Sequence, residues 1–433
     1  MKIAKEVEEI MERLEAAGYE AYVVGGSVRD ALLGREPGDW DVATGAPAET
    51  VTALFPRTAQ IGARFGIVKV ICGDLAVDVA AYRIDGPYSD CRRPDRVVFT
   101  GDLEKDLRRR DFTVNAMAYS PVRGFVDPFG GRRDLEAGII RAVGDPGQRF
   151  REDALRILRG VRFSAQLGFV IEAATLSAME RLAPLLKNIS AERVREELRG
   201  ILLAPNAGAG IRLCRDIGIL HYILGGAAAM LDGTEKKALE AFLAGIDGME
   251  PDWHVRLGLL LICMNGIRAV AAIESLKLDN AAAGKLAAAV TLVPELDAVD
   301  DKAALKSCMS RHGREACAFA ERLAGMALEL GMPIFSGDAG ARDRRKERLR
   351  WAEEIERDHE PVLLGELAVN GNDLIAAGFE NGREIGSLLN RLLELVQHRP
   401  EYNEKELLLD KAAEYAKESN GREKRHDQGR HIL

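Results

Sequence analysis

Val23-Val24-Gly25-Gly26-Ser27-Val28-Arg29-Asp30 opens the stretch that decides the fold, and Asp39-Trp40-Asp41-Val42-Ala43-Thr44 closes it. An apolar, β-branched run enters two glycines, and a helix-compatible segment, Val28 to Leu33, leaves them. A strand, a tight turn and a helix in that order aim backbone N–H groups at a phosphate. Asp39 and Asp41 fall at i and i+2 of a strand-like run, which puts both carboxylates on one face roughly 6–7 Å apart. A hard divalent cation such as Mg²⁺ takes that kind of oxygen pair and completes its shell with water and substrate phosphates. Alone, either half is more often an ordinary turn or a solvated loop. Together and in this order, they point to nucleotidyl transfer.

The rest of the chain sets bounds on that reading. Its 433 residues are enough for two to four domains, and 47% hydrophobic with 30% charged residues is the balance of a soluble globular protein. No apolar run reaches the roughly 18–20 residues of a membrane span. Lys2, Lys5 and the acidic Glu6, Glu8 and Glu9 exclude a signal peptide at the start of the sequence. The six cysteines are scattered with no C-x-x-C pair, which argues against a disulfide framework and predicts a reducing cytoplasm. A net charge of −8 is unusual for a nucleic-acid binder. Between Arg83 and Arg162, however, seventeen Lys/Arg, sixteen of them arginine, outnumber thirteen Asp/Glu. Arginine is the side chain suited to bidentate phosphate and base contacts.

Periodicity predicts an opening helix on Ile3, Val7, Ile10 and Leu14, ended by Gly18, then a strand over Tyr19 to Val24. A helix over Ala48 to Phe55 and a hairpin, Gly66 to Cys72 with Leu75 to Tyr82, complete a small mixed sheet with helices. Arg83 to Asp95 reads as a loop, and Leu103 to Met117 as helix. After about Gly147 helices dominate: Arg151 to Leu167, Ala174 to Leu185, Ala191 to Leu203 behind Ser190, Ala227 to Gly245, His254 to Ile273 and Ala281 to Leu292. Gly337 to Arg345 reads as a hinge or linker, Leu388, Leu392, Leu395 and Val396 mark another amphipathic helix, and Ser419 to Leu433 a frayed polar end.

Gly25-Gly26-Ser27-Val28-Arg29-Asp30 with Asp39-Trp40-Asp41 resembles the first motif of the polymerase-β-like nucleotidyltransferases. More narrowly, it is similar to the bacterial class II tRNA nucleotidyltransferases, the class that holds CCA-adding enzymes and poly(A) polymerases. The resemblance implies an α+β head followed by an all-helical neck, body and tail. It places the catalytic head at 1–143, a nucleotide-selecting neck at 144–205, a body at 206–335, a tRNA-binding tail at 336–420 and a polar extension at 421–433. Asp39 and Asp41 are then the catalytic, Mg²⁺-holding carboxylates. Asp78, in Val77-Asp78-Val79, is either a third carboxylate of the site or an outward strand residue. Gly26 permits close backbone approach to the triphosphate and Arg29 offers it a cationic fork.

Arg109-Arg110-Asp111 with Asn115 matches the family's second motif, which implies nucleotide binding by Arg110 supported by Asp111 and Asn115. Arg151-Glu152-Asp153-Ala154-Leu155-Arg156 is similar to the family's Glu-Asp-x-x-Arg motif, a protein template for CTP and ATP. Read as one helix, it sets Asp153 and Arg156 at i, i+3, where they form either a salt bridge or an acceptor beside a donor fork. In the second case Asp153 accepts from the exocyclic amine of cytosine or adenine, and uracil and guanine present a carbonyl there. Arg159 and Arg162 fall where the family places further nucleotide contacts.

Gly62-Ala63-Arg64-Phe65-Gly66-Ile67-Val68 and the loop Tyr88 to Pro94 favour CCA addition over poly(A) or CC-only addition and leave A-only addition open. Leu367 to Leu374 resembles the tail of the Gram-positive-type enzymes, although Glu380-Asn381-Gly382-Arg383 stands where many relatives have a Pro-Gly turn. Seven histidines without metal-ligand spacing predict that a phosphohydrolase domain found in some relatives is absent. The partners implied are tRNA, at its 3′ end and elbow, with CTP and ATP; no membrane is expected, and the assembly is a monomer or homodimer. The alternative of another class is a non-catalytic RNA-binding protein on a decayed transferase fold.

Overall fold

The computed structural model describes residues 1–62, 65–86, 96–226, 233–333, 340–379 and 382–428. The chain divides into two compact units. The first holds Met1–Met230, Leu243–Arg256 and Ser275–Lys277, and the second holds Leu231–Phe242, Leu257–Glu274 and Leu278–Leu433.

In chain order the first unit begins with α1 (Lys5–Ala16), β1 (Ala21–Val24), α2 (Gly26–Leu32), β2 (Asp41–Thr44), α3 (Ala48–Leu54), β3 (Thr58–Gly62), β4 (Ile67–Cys72) and β5 (Leu75–Ala81). It continues through β6 (Arg83–Asp85), β7 (Val97–Phe99), α4 (Leu103–Arg108), β8 (Ala118–Ser120) and β9 (Gly124–Val126). A mixed seven-stranded sheet runs β3-β4-β5-β2-β1-β8-β9, and β6 pairs with β7 apart from it. Val7, Ile10, Met11 and Leu14 bury one face of α1, at the spacing the sequence shows. Gly73, at φ +58°, makes the turn between β4 and β5. Two registers matter for chemistry: β2 runs antiparallel to β1 with Val24 opposite Asp41, and parallel to β5 with Asp41 beside Asp78.

Helices then take over: α5 (Gly131–Glu136), the short β10 (Ile139–Ile140), α6 (Pro146–Glu152), α7 (Leu155–Leu167), β11 (Val170–Ile171), α8 (Ala173–Leu182), α9 (Ala191–Leu202) and α10 (Ala207–Asp216). Three expectations change here. The helix read over Leu103 to Met117 stops at Arg108, and the chain re-enters helical geometry only as a 3₁₀ turn, Thr113–Asn115. The helix read over Arg151 to Leu167 is broken by Asp153, which is extended at φ −142°, ψ 104°. Ser190 does precede α9, but its side chain makes no capping bond there.

Farther along the chain His254 to Ile273 divides into Trp253–Ile262 and Gly266–Ser275. Ala341–Arg357 is helical, so Arg342 to Arg345 belong to a helix rather than a linker. Asn370 caps Gly371–Ala376 by accepting from Asn372 and Asp373 N–H, while Asp373 accepts from Asn370 N–H at 2.9 Å. Leu367, Val369 and Leu374 join Leu388, Leu392 and Val396 of Arg383–His398 in one buried cluster. The C-terminal helix, Lys405–Gln428, runs through most of the stretch read as frayed. Loop 88–94, residues 63–64 and residues 380–381 lie outside the described residues.

Candidate active site

The site is built on the turn that leaves β1. Gly25 stands at φ +75°, its N–H donates to Met117 O at 3.2 Å, and its carbonyl accepts the first bond of α2 from Arg29 N–H. A Cβ at Gly25 would stand 2.9 Å from Arg110 Nη1 and 3.9 Å from Asp41 Oδ2. Positive φ and the arginine together require glycine here. Gly26 begins the helix, and a Cβ there would meet only Arg29, at 3.5 Å or more.

A cleft of about 640 Å³ opens over this turn. Its lining includes Gly26, Arg29, Asp39, Asp41, Arg110, Asp153, Arg156 and Arg159. Ten of the twelve residues named from the sequence, these eight with Asp111 and Asn115, thus line one cleft, and Asp78 does not. Arg162 is not in the lining either. Its Nε donates to Glu197 Oε2 at 2.6 Å, and its Nη1 reaches Gln166 Oε1 at 3.4 Å.

Asp39 lies just before β2, with Asp41 as the strand's first residue. Asp41 opens onto the cleft, yet the concave wall displaces enough water to raise its carboxyl above the usual carboxylate range. That desolvation is opposed by Arg110 and reinforced by the negative charges of Asp78 and Asp39. Repulsion among carboxylates is what a bound cation relieves, so Asp39 and Asp41 fit a divalent metal in donor chemistry and in charge. Asp78, beside Asp41 by register, bonds Lys69 at 2.6 Å and does not line the cleft. Among the described residues no set of three or more His, Cys, Asp or Glu converges as metal ligands.

Arg110 reaches the cleft because α4 ends at Arg108. Burial lowers its guanidinium pKa against the pull of Asp106, whose Oδ2 is 3.6 Å from Nη2. A chain of bonds then crosses from the sheet to the helices. Arg29 pairs with Asp30 through Nε (2.9 Å) and Nη2 (3.0 Å), and donates through Nη1 to Asn115 Oδ1 at 2.7 Å. Asn115 Nδ2 donates to Asp111 Oδ1 at 3.3 Å, and Asp111 Oδ2 accepts from Arg159 Nε at 2.7 Å. Burial alone would raise the Asp111 carboxyl. Arg159, with help from Arg156 and the Phe112 N–H, holds it instead at about 2.

The Asp153 and Arg156 side chains are anchored by different partners. Asp153 accepts a two-pronged contact from Arg193, at 3.2 Å on Oδ1 and 2.6 Å on Oδ2, and its Oδ1 also caps α7 through Leu155 N–H at 3.1 Å. Arg156 is fixed by Glu152 Oε2 at 2.6 Å, Arg149 O at 3.1 Å and Arg109 O at 3.0 Å. The helix break turns Asp153 toward the cleft, and the two side chains enter it as separately anchored groups.

Residues 21–141 match the Poly A polymerase head domain, and residues 168–231 match the model described as a probable RNA and SrmB-binding site of polymerase A. The CCA-adding enzyme of Geobacillus stearothermophilus is 35% identical over 405 residues, which cover 92% of this chain and 93% of that protein. The chain belongs to the CCA-adding tRNA nucleotidyltransferase family. The family's member from Limosilactobacillus reuteri is 33% identical over 427 residues, 94% of this chain and 96% of its own. The crystal structure of Bacillus stearothermophilus CCA-adding enzyme in complex with CTP superposes with a TM-score of 0.72 at 31% identity, covering 96% of this chain and 98% of that one. The Thermotoga maritima CCA-adding enzyme complexed with tRNA shares the fold, with a TM-score of 0.61 at 21% identity over 95% of this chain and 94% of that one. The α+β class and the family read from the sequence both stand.

Among the lining residues of this family member, Gly38, Phe163, Gln166 and Arg193 escaped the sequence reading, and Gly25 was quoted there without a role of its own. Asp153 accepts from Leu155 N–H although Ala154 is the N-cap position of α7, so no ordinary capping signal marked the break. Arg193 carried no signal, being forty residues from its partner.

Proposed function

We propose that the protein adds CCA to the 3′ end of tRNA without a nucleic-acid template, from CTP and ATP, with release of pyrophosphate. The observation that carries this reading is one cleft holding both the Asp39/Asp41 pair and the separately anchored Asp153/Arg156 pair. The first suits phosphoryl chemistry and the second suits a base edge. Asp39 and Asp41 would hold Mg²⁺, which when bound neutralises the triphosphate and eases deprotonation of the attacking hydroxyl. Gly26, Arg29 and Arg110 line the space for the triphosphate.

Asp153 Oδ2 accepts one bond from Arg193 and keeps acceptor capacity for the amine of cytosine or adenine. Uracil and guanine present oxygen there and leave a desolvated acceptor unpaired, which supports their exclusion. Arg159 stands beside this pair; Arg162 acts through Phe163 and Gln166. In this reading the head spans 1–143, the neck 144–205, the body 206–335 and the tail 336–420, with the helical regions gripping tRNA by shape and phosphate contacts. No helix among the described residues is long and apolar enough to cross a membrane, and we place the reaction in the cytoplasm.

The test is extension of tRNA lacking its 3′ end, one NTP at a time and then in pairs, with Mg²⁺. Three added nucleotides only when CTP and ATP are both present is the expected result. Two cytidines and no adenosine would make it a CC-adding enzyme, and adenosine added only after CC an A-adding one. A long adenosine ladder on any RNA would make it a poly(A) polymerase. No incorporation, with tRNA still bound, would favour the non-catalytic alternative.

A further inference from the structure

Phe163 is 5% exposed and lines the cleft, yet its surroundings are not those of a plain core phenylalanine. Three guanidinium groups converge on its ring, with central carbons 5.3 Å (Arg29), 5.3 Å (Arg159) and 4.6 Å (Arg162) from the ring centroid. A ring quadrupole attracts each guanidinium over its face, and among the described contacts no other ring has more than one cation on it. Each cation is also tied to its own carboxylate: Arg29 to Asp30, Arg159 to Asp111 and Arg162 to Glu197. The carboxylates fix the edges of the guanidinium planes, and the ring fixes where those planes stand relative to one another.

The ring is itself immobilised. Phe112 packs on it edge-on, at 5.9 Å between centroids and 82° between planes. A Cβ at Gly160 would stand 2.9 Å from Phe112 Cζ, so the glycine keeps that second ring in place. Phe112 itself is fully buried, and no guanidinium lies over it among the described contacts.

We infer that Phe163 is a positioning residue for the incoming nucleotide: its π-face holds Arg29 of α2 and Arg159 of α7 at a fixed separation, so that both present N–H groups to the nucleoside triphosphate. This rests on the reading of the cleft as the NTP site. Three cations near one another repel, and an aliphatic side chain of similar volume has no quadrupole to offset that repulsion. Without the ring the guanidinium groups relax toward their carboxylates and lose their common setting. The cost then falls on nucleotide binding rather than on the chemical step.

The test is steady-state kinetics of CTP and ATP addition by Phe163→Leu, with Phe112→Leu as the comparison. Phe163→Met, flexible enough to fill the same space, serves if the leucine variant folds poorly. The expected result is a KM for both nucleotides raised about tenfold in the Phe163 variants with kcat within about twofold. Phe112→Leu loosens the Phe163 ring but leaves its π-face in place, so it should lower Tm and raise KM by no more than about twofold. A wild-type KM in a folded Phe163 variant, or an equal KM rise in Phe112→Leu, would overturn the positioning role while leaving the NTP site intact. Failure of the wild-type protein to incorporate any nucleotide would instead remove the reading on which the role rests.

Discussion

Asp41 and Asp111 are both carboxylates in the same cleft, and their surroundings push them in opposite directions. Asp41 is raised by desolvation and then by Asp78 and Asp39. A carboxyl raised on folding favours the folded state when protonated, and that contribution is lost as pH rises through the folded value. Asp41→Asn, neutral at every pH, is therefore expected to raise Tm at pH 7–8 in EDTA while lowering nucleotide addition by about 100-fold or more. Differential scanning fluorimetry beside the extension assay checks both halves; a lowered Tm would contradict the desolvation argument. Asp111 is the reverse case. Held at about 2 by Arg159 against its own burial, it contributes stability that is full above the ordinary value of 3.8 and fades as pH falls from there through 2. Asp111→Ala strands the Arg159 guanidinium and the Phe112 N–H, so it should cost about 3 kcal/mol in urea unfolding at pH 7. The difference from wild type should shrink progressively below pH 3.8.

The elements matter here chiefly for where they stop. Had α4 continued past Arg108, Arg110 and Asp111 would lie on a helix face instead of entering the cleft beside Gly25. Had α6 run into α7, Asp153 would be committed to helical geometry; one extended residue frees its carboxylate to cap α7 and meet Arg193. The β1–α2 turn sets the third such limit. Gly25→Ala forces an L-residue to φ +75° and a methyl against Arg110 Nη1 at 2.9 Å. The backbone alone costs about 1–3 kcal/mol. We expect a fall in Tm of several degrees together with loss of nucleotide addition as Arg110 shifts. Gly26→Ala, with no atom closer than 3.5 Å, should keep wild-type stability, so any activity it loses reports close approach by substrate. Circular dichroism melts of the two variants separate these outcomes. Terminations of this kind were hard to see in the sequence. Leu103 to Met117 keeps helix-compatible composition throughout, and tertiary bonds such as Thr113 N–H to Arg141 O at 2.9 Å and Val143 N–H to Asp111 O at 3.0 Å draw the chain out of helical geometry.

At the scale of the whole molecule the charge is −8, yet the cleft is lined by Arg29, Arg109, Arg110, Arg156, Arg159 and Arg193. Polyanion binding to such a protein depends on local cations against a repulsive background. tRNA affinity should therefore fall at least about tenfold between 50 and 200 mM salt, by fluorescence anisotropy. An affinity indifferent to salt would mean that phosphate contacts are not what holds the tRNA.

The sequence by itself determined the fold class and the family, and it named most of the residues that line the cleft. Strand, Gly-Gly turn, helix and Asp-x-Asp are local signals, and their order within a short stretch leaves few architectures. Apolar periodicity, helical in α1 and alternating in β4 and β5, was equally sufficient for those elements. The weak, short strands β8 to β11 were not legible, because two or three residues carry no periodicity and owe their pairing to neighbours far along the chain. Only the tertiary structure decided which partner each charged group keeps. Asp153 takes Arg193 rather than Arg156, Asp78 takes Lys69, and Arg162 turns to Glu197 and out of the cleft lining. Burial makes an unpaired charge costly, so a buried arginine or aspartate needs a counter-charge or hydrogen-bond partners. Which one is within reach depends on how the strands and helices pack, and sequence spacing does not contain that distance.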